Sequence, residues 1–222
     1  TVNMASPVPV GFRPGSDPVA ARLGDSWQSS GGDRTGVSSG LGTDKQLEIL
    51  KEMVPSIKRV LVISKKGDQS SEAGLNMIVG KAKQLGIELV VERPIEAIDI
   101  LKMLDRTDFS KIDAIHIPPD TLVGTQVGKI HEKTRKFKIP IIVFSADLLK
   151  EGGFYYYASN YYYLGKQVAV QAEKILKKGI LPQNIPIEEP KNYFFGFNLK
   201  VANEFGIKIP AKYLDIAETV IK

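Results

Sequence analysis

Phe154-Tyr155-Tyr156-Tyr157-Ala158-Ser159-Asn160-Tyr161-Tyr162-Tyr163-Leu164-Gly165 is the stretch on which the reading of the fold turns. It holds six of the chain's eight tyrosines. Phe154 to Ser159 is short and aromatic-rich, the composition of a strand. Asn160 suits an N-cap, because its side-chain oxygen can accept from an orphan amide of a first helical turn. Leu164, Val168, Ala172, Ile175 and Leu176 then repeat at helical spacing up to Lys177-Lys178-Gly179, a basic last turn followed by a glycine. A strand therefore runs straight into a capped helix. Ligands of open α/β sheets sit at such junctions, outside the carboxyl ends of the strands. The tyrosines have two readings: packing in the core and rim, or rings in or beside a ligand cleft.

Outward from this stretch the same alternation repeats. Asp44 is placed to cap a helix through Met53, and Val60 to Ser64 is a continuous apolar strand. Ser70 or Ser71 is placed to cap a helix ending at Leu85-Gly86. Strands at 87–92, 114–117 and 139–145 alternate with helices at 95–104, 125–137 and 146–150. Near-continuous apolar strands joined by helices imply a parallel sheet covered by helices on both faces, an α/β fold. Ser64-Lys65, Pro118-Pro119-Asp120, Ser145-Ala146-Asp147 and Ser159-Asn160 would then share one rim of that sheet.

The two ends of the chain differ from this middle. Before Lys45 there is no lysine, and before Ile49 no isoleucine; glycine, serine and proline dominate. Residues 7–12 suit an extended edge strand and 16–23 a helical turn with Pro18 at its first position, whereas 29–42 reads as loop. After Gly179, prolines lead to a strand at 193–197, a helix at 199–205 and a final helical segment from Pro210. Neither end buries a core alone. The expected division is residues 44–179 as a complete lobe with its return helix, and 1–43 with 180–222 as a smaller, incomplete second lobe.

Composition excludes several functions. A chain of 222 residues without cysteine has no disulfide, thiol nucleophile or cysteine zinc site. Its two histidines, His116 and His131, have no metal-ligand spacing, and no cofactor is implied. The net charge of +5 is dispersed, and the basic run Lys133 to Lys138 lacks a nucleic-acid recognition motif. Gly40-Leu41-Gly42 lacks the third glycine of a dinucleotide fingerprint, Gly80-Lys81 and Gly128-Lys129 lie inside helices, and no nucleophile elbow occurs. The chemistry left is a rim of hydroxyls, carboxylates and tyrosine rings, which orients a small polar or zwitterionic ligand without transforming it. Asp120 and Asp147 suit an ammonium group; each equally suits a helix cap.

Taken together, several stretches resemble the ABC-transporter substrate-binding proteins of the tryptophan- and tyrosine-binding type, in the periplasmic-binding-protein type I superfamily. The matching pieces are Ser16-Asp17-Pro18-Val19, Gly31-Gly32 to Ser38, and Pro55-Ser56-Ile57-Lys58-Arg59-Val60. They continue with Asp113-Ala114-Ile115 to Asp120, Ile139-Pro140-Ile141 to Ser145, Asn160 to Gln167, and Ile185-Pro186 to Lys200. The resemblance implies two α/β lobes closing on a ligand. It places Asp17 of the first lobe, and Ser70, Asp120, Ser145, Asp147 and Asn160 of the second, toward that ligand, with Tyr157 and Tyr161 as ring contacts. The family usually has aspartate where Asn160 stands. The first strands and helices of lobe one are not found, and a signal peptide or lipid-anchor cysteine would lie with them.

The function so implied is the solute-binding component of an ABC importer, outside the cytoplasmic membrane, taking an amino-acid-like ligand and meeting a permease. The alternatives are a ligand-sensing regulatory domain of the same fold, or a shortened homologue that self-associates through the incomplete lobe.

Overall fold

The structure, a computed structural model, describes residues 10–12, 18–19, 24–29 and 31–222. The expected helical turn at 16–23 lies outside them, apart from a turn at Pro18 and Val19, and so does Asp17.

The chain divides into two compact units. The larger comprises Leu41–Ala158 and Phe194–Lys222, the smaller Thr1–Gly40 and Ser159–Tyr193. The partition differs from the one the sequence suggests: the tail from Phe194 joins the main sheet, and the long helix after the tyrosine strand joins the head.

Apart from a single residue at the end of each of two strands, the larger unit holds a seven-stranded sheet. Its strands are β3 (Arg59–Ile63), β4 (Glu88–Glu92), β5 (Ala114–His116), β6 (Ile141–Val143), β7 (Tyr155–Ser159), β8 (Tyr193–Asn198) and β9 (Ala217–Ile221). They lie in the order β4-β3-β5-β6-β7-β8-β9, and the registered pairs are parallel. The connecting helices are α1 (Thr43–Met53), α2 (Gln69–Leu85), α3 (Ala97–Arg106), α4 (Thr121–Gly124), α5 (Val127–Thr134), α6 (Asp147–Lys150), α8 (Leu199–Phe205) and α9 (Ala211–Leu214).

Both faces of this sheet are apolar, which is why its strands read as continuous rather than alternating. Successive side chains point to opposite faces. Val60, Val62, Ala114, Ile142 and Tyr155 pack on one side with Leu47, Leu50, Ile78 and Val201 from the helices. Leu61, Ile63, Ile115, Ile141, Val143 and Tyr156 pack on the other with Ile100, Met103, Val127 and Ile130.

The tail enters this sheet through an aromatic seam. Phe195 and Phe197, two apart on β8, face the odd-numbered tyrosines of β7. The Tyr157–Phe195 ring centroids are 4.8 Å apart and those of Tyr155–Phe197 5.9 Å. Between them Gly196 leaves room for Tyr156, whose ring a β-carbon would meet at 2.1 Å. Asn198 closes the seam: its amide donates to the Phe154 carbonyl at 2.9 Å and its Nδ2 to the Leu149 carbonyl at 2.8 Å. The final segment is also corrected. A single short helix gives way to strand β9, where Thr219, Val220 and Ile221 supply β-branched residues.

Most helix signals held, with shifted caps. Asp68, not Ser70 or Ser71, caps α2, accepting from the Ser71 amide at 2.9 Å. Gly42, in the left-handed region at φ 59°, precedes α1, and Asp44 sits in its first turn.

The smaller unit contains the parallel pair β1 (Val10–Phe12) and β2 (Arg34–Gly36), and α7 (Tyr161–Lys178). β2 falls where composition suggested loop. It is held by the Thr35 hydroxyl, which donates to the Ile185 carbonyl at 2.8 Å, and by amide bonds between Ser38, Glu188 and Gly36. Asn160 caps α7 as its side chain predicts, accepting from the Tyr162 amide at 2.9 Å.

Candidate functional site

The carboxyl ends of β3, β5 and β6 bring a set of polar groups to one rim of the larger unit, in two tiers. The inner tier is buried and hydrogen-bonded within the protein. Asp120, 3% exposed, accepts at Oδ2 from the Lys65 amide (2.8 Å) and the Ser71 hydroxyl (3.1 Å). Its Oδ1 accepts from the Val123 amide at 3.1 Å, capping α4. The Ser64 and Ser71 hydroxyls lie 3.0 Å apart. One carboxylate thus ties the loop after β3 to the loop after β5. With three bonds to protein donors, Asp120 serves as a structural cap and latch.

A second buried network lies at the end of β5. His116 Nε2 donates to Gln46 Oε1 at 2.7 Å, while Gln46 Nε2 donates to the Tyr157 carbonyl at 2.9 Å. Because the Gln46 amide nitrogen is the donor to that carbonyl, its oxygen faces the imidazole, which fixes the proton on Nε2. The Tyr155 hydroxyl donates to the Gln46 carbonyl. Burial holds the His116 imidazole down, at about 3, so the ring is neutral.

The outer tier is free. Ser145 is half-buried and Asp147, at the start of α6, is exposed; neither side chain makes a hydrogen bond or ion pair among the described residues. Ser70 is half-buried in the first turn of α2 and is likewise free. Lys65, on the loop after β3, is half-buried, and no carboxylate pairs with it among the described residues. The sequence placed Ser64-Lys65 at this rim without giving Lys65 a role.

Three candidates remain, Tyr157, Asn160 and Tyr161. Tyr157 packs its ring on Phe195 within the sheet's aromatic seam, and burial pushes its hydroxyl up. Asn160 and Tyr161 belong to the smaller unit. There Tyr161, Tyr162 and Tyr163 are exposed, and the Lys166 ammonium lies 4.4 Å from the Tyr162 ring centroid. The tyrosine stretch therefore splits: the strand tyrosines are core, the helix tyrosines are surface.

Two surface cavities lie elsewhere. One of about 360 Å³ opens before β3, β5 and β6, lined by Val54, Phe109, Ile112 and Phe137. Asp113 in it is occupied by the amides of Lys58 and Arg59, both at 2.8 Å. The other, of about 200 Å³, lies by β4 and α3, where Arg93 and Arg106 are paired with Glu72 and Glu92. Among the described residues no group of three histidine, cysteine or carboxylate side chains can hold a metal.

A parallel sheet covered by helices on both faces, with polar groups at the carboxyl ends of its strands, is an α/β fold of the kind that binds ligands at that rim. A family model described as ABC transporter substrate binding protein matches residues 1–221, and the chain belongs to that family. A curated relative, the tyrosine-binding protein of Clostridioides difficile (strain R20291), is 27% identical over 175 residues. The match covers 79% of this chain and 50% of that protein, so the chain spans about half the length of this relative. Two solved structures share the fold at TM-score 0.82 and 24% identity, each over 96% of this chain. One is a conserved domain protein from Vibrio cholerae, of which 71% is covered; the other is a Streptococcus pneumoniae ABC domain in complex with L-Trp, of which 72% is covered.

Proposed function

We propose that this chain is the ligand-binding part of an ABC importer receptor, and that its larger unit holds a small amino-acid-like solute at the carboxyl-end rim. The observation that carries this reading is the division of the rim into two tiers. Asp120, Ser64 and Ser71 are taken up by the protein, whereas Ser70, Ser145 and Asp147 have no side-chain partner among the described residues. Groups free at the ends of rigid parallel strands orient a ligand at little cost, because the shell beneath them is already fixed. Asp147 is the free carboxylate for an ammonium. The tyrosine-binding relative and the L-Trp complex support an aromatic amino acid as the ligand.

In this reading the smaller unit is part of a second lobe. Closure over the solute shifts the receptor's population toward a form that the permease recognises. The place of work is the outer side of the cytoplasmic membrane; no helix of the described residues is long and apolar enough to cross it.

A thermal-shift screen against the twenty amino acids, with hits followed by calorimetry, tests the reading. A ligand at a hundred times its dissociation constant adds about 2.7 kcal/mol to the native state and raises the midpoint by roughly a few degrees. The expected hits are L-tryptophan or L-tyrosine, weakened at least roughly tenfold by Asp147→Asn, the loss of one charge-assisted hydrogen bond. No shift with any amino acid would overturn it.

A further inference from the structure

We propose that the cavity at the amino ends of β3, β5 and β6 docks an acidic segment of a partner protein, which sets one large apolar side chain on its floor and carboxylates against Lys136 and Lys138. This surface lies at the other end of the strands from the solute rim, and the proposal stands apart from that reading.

The dish is built by three loops. β3, β5 and β6 are parallel neighbours, so the segments that enter them come together at one end of the sheet. Val54 and Ile57 come from the first, Phe109 and Ile112 from the second and Phe137 from the third. Ile57, Phe109 and Ile112 are buried, whereas Phe137 is 40% exposed, with its ring centroid 5.9 Å from that of Phe109. Asp113 fixes the shape: its Oδ2 accepts from the amides of Lys58 and Arg59 and ties the second loop to the first. At about 360 Å³ the space is at the small end of ligand pockets, room for one side chain on a floor already held in place.

The mouth carries cations without anions to match. Lys136 Nζ lies 5.0 Å from the Phe137 ring centroid, so this ammonium stands beside the apolar floor. Lys138 lines the cavity itself. Neither has an ion pair among the described residues. The carboxylates around them are engaged, Asp108 with Lys111, Glu204 with Arg135 and Asp113 with its two amides. Lys138 also has φ 55°, the one non-glycine residue among the described residues in the left-handed region. Glycine would sit there without strain; a lysine places a cation at the mouth at a conformational cost.

An apolar floor edged by unpaired ammonium groups is the form of an interface that takes a hydrophobic anchor within an acidic sequence. A bilayer fits it less well, because the apolar surface is recessed, and lipid is met by an apolar face that can enter the headgroups.

The probe is acetyl-Asp-Glu-Leu-Glu-Asp-amide, whose leucine and blocked ends keep it from mimicking an aromatic amino acid. It is titrated into the whole, isotope-labelled chain and followed by amide chemical shifts. Shifts are expected in residues 54–58, 109–113 and 136–138, with a dissociation constant of about 1 mM or lower. Binding should weaken roughly fivefold or more in Lys136→Gln/Lys138→Gln and in Phe137→Ala, and stay within about twofold in Lys83→Gln, which removes an exposed lysine of α2. Lys138→Gly separates docking from folding: it should weaken the peptide while the thermal midpoint holds or rises. No binding by about 10 mM peptide, shifts centred elsewhere, or an equal loss in Lys83→Gln overturns the proposal. So does binding to phosphatidylglycerol vesicles that the Phe137→Ala and lysine variants abolish while the peptide is ignored, which would assign the surface to a membrane.

Discussion

At the scale of single residues, the rim separates groups that hold the protein together from groups left for a ligand. Asp120→Ala would strip the acceptor from the Lys65 amide, the Ser71 hydroxyl and the Val123 amide at once. Buried donors left unpaired cost about 1–3 kcal/mol each, and water entering the gap recovers part of that, so the expected loss is about 2–4 kcal/mol in urea denaturation. A change below about 0.5 kcal/mol, the level of an ordinary surface substitution, would show that Asp120 is not the latch. His116 makes a pH-dependent prediction. Its folded value, about 3, lies below the unfolded value of about 6.5. Above 6.5 both states are neutral and the histidine adds no slope. As pH falls from 6.5 toward 3, the unfolded chain binds a proton that the folded chain does not, so stability declines by up to about 1.4 kcal/mol per pH unit. Carboxylates such as Glu48, held low by Lys45 and Lys81, add slope of the same sign at lower pH. The measurement is therefore the difference between wild type and His116→Asn from pH 7 to 4, which should narrow steadily as pH falls. Parallel curves would mean that His116 does not stay neutral on folding.

At the scale of elements, the aromatic seam between β7 and β8 explains both the tyrosine stretch and the placement of the tail. Gly196→Ala puts a methyl group into the Tyr156 ring. Overpacking of this kind costs about 1–3 kcal/mol, and the tilted Tyr157–Phe195 contact should be disturbed with it. Thermal denaturation with near-ultraviolet circular dichroism measures both; an unchanged midpoint would mean that Tyr156 swings aside freely. The strand–helix alternation of residues 44–179 was legible because continuous apolar runs such as Val60-Leu61-Val62-Ile63 and the Asn160 cap are local signals. The destination of β8 was not. Which sheet a lone strand joins is decided by long-range partners, here Tyr155 and Tyr157, and period alone does not name them. The two-residue spacing of Phe195 and Phe197 was the available hint. β9 was missed because a short helix precedes it and the β-branched run is only three residues long. The site was half legible. Ser145 and Asp147 follow β6 and have no side-chain partner among the described residues, but whether a carboxylate is engaged depends on donors brought from elsewhere, as Lys65 and Ser71 are brought to Asp120.

At the scale of the whole molecule, the two units differ in how much apolar surface they bury, and this sets an expectation for their dynamics. In the smaller unit the buried hydrophobic side chains among the described residues are Val37, Leu164, Ile185 and Ile187. Its helix α7 runs over 18 residues yet buries only Leu164 and Gln171. The larger unit packs both faces of its sheet, with Val60, Leu61, Val62, Ile115, Ile141, Ile142 and Val143 entirely out of solvent. Apolar burial is worth about 25 cal/mol per Å², and a helix that buries one face poorly keeps little beyond its own backbone bonds. Local opening free energies should therefore separate by unit. In native-state hydrogen exchange the amides of β3, β5 and β6 are expected to exchange only through global unfolding, with a steep denaturant dependence. Those of α7 should exchange through a shallower, sub-global opening at lower free energy. Protection of α7 equal to that of the central strands, with the same denaturant slope, would mean that its stability comes from contacts beyond the apolar burial seen within its own unit. The same experiment with L-tryptophan present gives the function a spatial readout. Binding at the rim should slow exchange in the loop after β3 and in the first turn of α6 before it changes anything in β4 or β9, at the sheet's two edges.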